Sequence, residues 1–68
     1  MSMKNIYALR QRQPALWYDC VVVADSIKHA RMVATEDTHN TDYADANITA
    51  CRRIGEAKKG LGFGVIAG

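Results

Sequence analysis

Three consecutive valines, Val21-Val22-Val23, lie in the stretch Tyr18-Asp19-Cys20-Val21-Val22-Val23-Ala24. Side chains alternate across a strand, so this segment presents apolar groups on both faces, as a central strand does. Ala24-Asp25-Ser26 follows at once, and its side-chain oxygens can accept from the free amides of a first helical turn. Ile27, Ala30, Val33 and Ala34 then recur at the spacing of one helical face, which predicts a helix ending near Glu36. A strand apolar on both faces, joined to one short amphipathic helix, is the strongest constraint on the fold. One helix covers one face of a sheet. The other face must meet solvent, a second copy of the chain, or a partner.

The remaining segments add strands. Asn5 to Leu9 reads as a first strand, followed by the polar segment Arg10-Gln11-Arg12-Gln13-Pro14, where the single proline belongs because it cannot donate within a sheet. The second strand, rich in aromatic and β-branched residues, runs from Trp17 to Ala24. Thr35 to Asn47 is polar and reads mostly as loop. Ile48 to Ile54 alternates, with Ile48, Ala50, Arg52 and Ile54 on one side and Thr49, Cys51 and Arg53 on the other. Lys58-Lys59-Gly60-Leu61-Gly62 is turn chemistry, and Phe63 to Ala67 a last short strand. The expected fold class is α+β: a small, mainly antiparallel sheet with one helix packed on one face, in the order β-β-α-β-β. Residues 1–68 are expected to form a single small domain.

At 68 residues the chain buries only about 60% of the surface that it exposes when unfolded. That leaves little room for a shielded active site beside a core, and favours a binding module. Apolar residues at 49% and charged residues at 24% describe an ordinary globular composition. No apolar run approaches the roughly 20 residues that cross a bilayer. The N-terminus lacks the apolar core of a signal peptide. Cytoplasmic residence is expected, with Cys20 and Cys51 as free thiols.

No constellation in the sequence points to catalysis or to a cofactor. The Ala24-Asp25-Ser26 turn lacks the glycines of a nucleotide-binding strand-to-helix step and sets a carboxylate where phosphate would sit. Gly60-Leu61-Gly62-Phe63-Gly64 runs into a strand rather than a helix, so it reads as a turn. His29, His39, Asp37, Asp42 and Asp45 have neither the paired spacing of a zinc site nor the glycine and closing glutamate of a calcium loop. Cys20 and Cys51 lie in strand-like stretches, where cysteine behaves as a small hydrophobe. The expectation is a metal-free, non-enzymatic protein.

Charge is more informative. Glu36, Asp37, Asp42 and Asp45 gather in residues 36–45 with no Lys or Arg among them, whereas Arg52, Arg53, Lys58 and Lys59 face only Glu56 in residues 52–59. Arg10 and Arg12 add a second basic patch. Such a rim can simply keep a protein in solution, or it can steer a charged partner. These six basic residues are the candidate partner-binding set, with Val21 and Val23 as a candidate apolar interface. The formal charge of +2 is mild for a nucleic-acid binder, although Trp17 and Tyr18 beside a basic loop could stack on bases.

Two stretches, Tyr18-Asp19-Cys20-Val21-Val22-Val23-Ala24-Asp25-Ser26-Ile27-Lys28-His29-Ala30-Arg31 and residues 48–68, together resemble a family of small, mostly uncharacterised phage and prophage proteins. The shared pattern is a Tyr-Asp strand, a helix of the form Ala-x-Ser-x-x-x-Ala-Arg, then Ile-Gly-x-Ala and Gly-Val-Ile. Tyr18, Asp19, Ala24, Ser26, Ala30, Arg31, Ile54, Gly55, Ala57, Gly64, Val65 and Ile66 carry it. The resemblance covers scaffold residues and brings no activity with it. More loosely, the small sheet with one helix looks like some anti-CRISPR proteins and a phage inhibitor of host RNA polymerase. Beside that looser likeness, the expected function is that of a non-enzymatic, phage-encoded inhibitor that binds a host protein complex, such as a defence nuclease or CRISPR surveillance complex. A small nucleic-acid-binding or accessory protein is the alternative, and self-association through the uncovered sheet face stays open.

Overall fold

The computed structural model describes residues 4–12 and 20–67. The expectations for Pro14, Trp17 and Tyr18 therefore fall outside the described residues. Four strands, β1 (Asn5–Gln11), β2 (Cys20–Ala24), β3 (Thr49–Glu56) and β4 (Gly64–Ala67), form one antiparallel sheet in the order β3-β1-β2-β4. The helix α1 (Ile27–Thr38) packs against it, and a 3-10 helix (Thr41–Ala44) links α1 to β3. This is the α+β architecture expected from the sequence, with β2 internal between β1 and β4.

α1 begins where the capping chemistry places it. The Ser26 hydroxyl accepts from the His29 amide at 3.0 Å and satisfies a donor that has no helical partner. The helix runs two residues past the expected Glu36 and stops at His39, whose positive φ of 58° closes it. Ala30, Val33 and Ala34 are buried as the stripe predicts, but Ile27, at the first helical position, stays half-exposed.

Register fixes the faces. Tyr7 pairs with Val22 and Leu9 with Cys20, and all four join Ala24, Ala30, Val33, Ala34 and Tyr43 in the core beneath α1. Ala8, paired with Val21 on one side and Arg52 on the other, belongs to the far face. Tyr43 is a correction to the sequence reading: the supposed loop contributes a buried aromatic ring to the core. Residue Ile54 is also displaced from simple alternation, because Arg53 pairs with Tyr7 and Gly55 with Ile6, which makes Ile54 the extra residue of a bulge.

Candidate partner-binding surface

The six basic candidates divide by element and face. Arg10 pairs with Ala50, and Arg52 with Ala8, so the two arginines share the face away from α1. With Ala8 and Ala50 they line a hollow of about 110 Å³. Both are exposed, and neither side chain makes a hydrogen bond or ion pair with another described residue. Arg53 pairs with Tyr7 and so lies on the helix side. Its Nε donates to Asn5 Oδ1 at 3.0 Å, and its Nη2 stands 3.5 Å from Glu56 Oε1. The alternation read from sequence, which sends Arg52 and Arg53 to opposite faces, is thus the observed one.

Arg12 has a local task. Its Nε donates to the Ala46 carbonyl at 2.8 Å and its amide to the Ile48 carbonyl at 2.9 Å, fastening the end of β1 to the chain entering β3. Lys58 and Lys59 are exposed in the turn after β3. There Gly60, at φ 101°, supplies a conformation that a side chain would resist. The two valines also differ. Val21 is half-buried, whereas Val23 is fully buried within the chain, between Ile6 on β1 and Gly64 on β4. Val21 alone of the pair has surface to offer.

Three groupings escaped the sequence reading. Arg31 reaches from α1 to Tyr43 and Thr49, a task that its place at the end of the Ala-x-Ser-x-x-x-Ala-Arg pattern did not announce. Asp37 Oδ2 accepts from the Val65 amide at 3.1 Å and ties β4 to the helix. Phe63 meets the His29 ring edge-on at 4.7 Å, while Lys4 Nζ stands 5.3 Å from the Phe63 ring and donates to the Leu61 carbonyl. His29 Nδ1 lies 3.2 Å from the Asp25 amide and 3.0 Å from Asp25 Oδ1. A neutral Nδ1 accepts from the amide, and a protonated one donates to the carboxylate. Together these contacts hold the glycine-rich turn against the start of α1.

Cys20 is buried. Burial pushes the Cys51 thiol above its ordinary value of 9.0, against the opposing pull of the Arg31 charge. Such a group stays protonated at neutral pH and is a poor nucleophile. Among the described residues no group of three or more His, Cys, Asp or Glu is arranged to hold a metal ion. None of the described helices is long and apolar enough to cross a membrane. Comparison with protein-family models, with curated proteins and with solved structures yields no match for this chain. The fold and surface define a class: a four-stranded α+β protein with Arg10 and Arg52 on one face of its sheet and Arg53 on the other.

Proposed function

We propose that this chain is a non-enzymatic binding protein that docks onto an acidic surface of a larger protein complex and inhibits it. The resemblance to phage proteins supports taking that complex as a bacterial defence assembly, such as a CRISPR surveillance complex or defence nuclease. One observation carries the reading. Arg10 and Arg52 stand side by side on the sheet face away from α1, exposed and with side chains unengaged among the described residues. A guanidinium without a partner is available for bidentate pairing with a carboxylate, and such pairing gives both charge and geometry to recognition. Phosphate would suit the same fork, which makes a nucleic-acid partner the second reading.

The test is an affinity pull-down from bacterial host lysate with and without nuclease, using the parent chain and an Arg10→Glu, Arg52→Glu variant. A protein complex retained after nuclease treatment and lost with the variant is expected. Retention that disappears with nuclease, together with a steep fall of binding as salt rises, would move the assignment to nucleic acid.

A further inference from the structure

β3 has β1 on one side and, among the described residues, no strand on the other. The direction of its backbone groups follows from ladder alternation, because antiparallel pairs alternately exchange both hydrogen bonds or none. The Arg12 amide donates to the Ile48 carbonyl at 2.9 Å, and this sets the parity. Ala50 and Arg52 turn their main chains toward Arg10 and Ala8 on β1, while Thr49, Cys51 and Arg53 turn theirs outward. Thr49 shows the same geometry directly. Its amide donates to the Asp45 carbonyl at 3.0 Å, and its carbonyl accepts from Arg31 at 3.1 Å. The first outward position is therefore closed by the chain itself. Cys51 and Arg53 are the next two, and the bulge at Ile54 ends the regular edge beyond them.

Charge selects among occupants. From Thr49 to Lys59 the only acidic residue is Glu56, against Arg52, Arg53, Lys58 and Lys59. Pairing β3 with β3 of a second copy would lay this basic segment along itself, and like charges opposed across strands destabilise the pair. An extended acidic segment meets the opposite condition: it supplies main-chain partners to the edge and carboxylates to the arginines on either side.

We propose that the edge of β3 at Cys51 and Arg53 receives an extended acidic segment of a protein partner, which adds a fifth strand to the sheet. The inference rests on the reading of the chain as a binding protein, and specifies how the partner is held. Main-chain bonds supply the attachment at Cys51 and Arg53. Arg52 on the far face and Arg53 on the helix face read carboxylates at two successive positions of the incoming strand, one on each face.

The experiment titrates isotope-labelled protein with a short synthetic peptide in which pairs of adjacent glutamates are separated by pairs of threonines, so that both faces carry carboxylates, and with the same peptide carrying lysine for glutamate. Amide hydrogen exchange is read residue by residue. The acidic peptide should slow exchange at Cys51 and Arg53 by roughly tenfold or more while leaving Ala50 and Arg52 unchanged, and the lysine peptide should do nothing. An Arg53→Pro variant removes an outward amide without removing a bond to β1, and with its thermal melt preserved it should lose the peptide. If that variant fails to fold, Arg53→Glu replaces it and should weaken the peptide at least tenfold. Acidic peptide that binds but leaves both amides unprotected would overturn the edge while leaving the binding reading standing. Failure of the acidic peptide to bind, tighter binding of a single-stranded oligonucleotide, or protection that grows with protein concentration alone would equally overturn it.

Discussion

The Arg31 guanidinium spans both oxygens of Thr49, donating from Nη1 to the hydroxyl at 2.9 Å and from Nη2 to the carbonyl at 3.1 Å. Nη1 also donates to the Tyr43 carbonyl at 3.2 Å. Thr49 is fully buried, and its hydroxyl hydrogen is shared between the Asp42 and Asp45 carbonyls, each at 3.1 Å. One forked side chain thereby joins α1, the 3-10 helix and β3, and it closes the outward position of β3 that precedes the open edge.

Replacing Arg31 by Met keeps the apolar stem and removes every one of these donors. The carbonyls of Thr49 and Tyr43 then lose a partner in a partly buried setting, at about 1–3 kcal/mol in total. Urea denaturation should show that loss, and Arg31→Lys should recover only part of it, because an ammonium cannot reproduce the planar fork. A loss below about 0.5 kcal/mol, the range of ordinary surface changes, would contradict the role assigned to Arg31.

Gly64 is held at φ 144°, and a Cβ placed there would stand 3.3 Å from Asp37 Oδ2, the oxygen that accepts from the Val65 amide. Gly64→Ala combines backbone strain with pressure on that tether and should cost about 1–3 kcal/mol. Gly55→Ala is the matched comparison, since nothing lies within 4 Å of its Cβ position and its φ is not positive. Thermal melts of the two variants should separate clearly. Equal melting temperatures would mean that β4 does not depend on the Asp37 tether.

Local features were the legible ones. Ser26 and the Ala30, Val33, Ala34 stripe announce α1, because capping and helical spacing act within a few residues. The opposite faces of Arg52 and Arg53 likewise follow from strand periodicity alone. Which of those faces carries the helix depends on pairing Arg53 with Tyr7 across many intervening residues, and no local signal encodes that register. Tyr43 was hidden for a related reason. Its polar neighbours describe a loop, while its burial comes from packing in the core beneath α1. Sequence spacing could place Arg10 and Arg52 in separate patches, and only the β1–β3 register brings them to one hollow.

Cys51 gives a pH prediction with a definite sign. Its folded pKa is raised by burial above the ordinary 9.0, so the folded state holds the thiol proton more tightly than the unfolded state does. Its contribution is fully present below the unfolded value and is lost as pH rises from there through the folded value. The denaturation midpoint under reducing conditions should therefore fall between neutral pH and pH above 9.0. In a Cys51→Val variant that fall should be smaller, because the remaining dependence belongs to other groups. An identical pH dependence in parent and variant would remove Cys51 from the account.

Lys58 and Lys59 separate steering from attachment. Both are exposed, and no ion pair joins either to another described residue. Isolated surface charges contribute about 0–1 kcal/mol to folding, so a Lys58→Glu, Lys59→Glu variant should keep its melting temperature close to that of the parent. Attraction between separated charges acts mainly before contact, and salt screens it over roughly 10 Å at 0.1 M. Reversal should accordingly slow association with an acidic partner or acidic peptide by roughly three- to tenfold at low salt, with the two rates converging as salt rises. Dissociation, governed by Arg10, Arg52 and the β3 edge, should change less. Association rates measured at two ionic strengths decide the point: equal rates for variant and parent at both would remove the turn lysines from recognition and leave it to the arginines of the sheet.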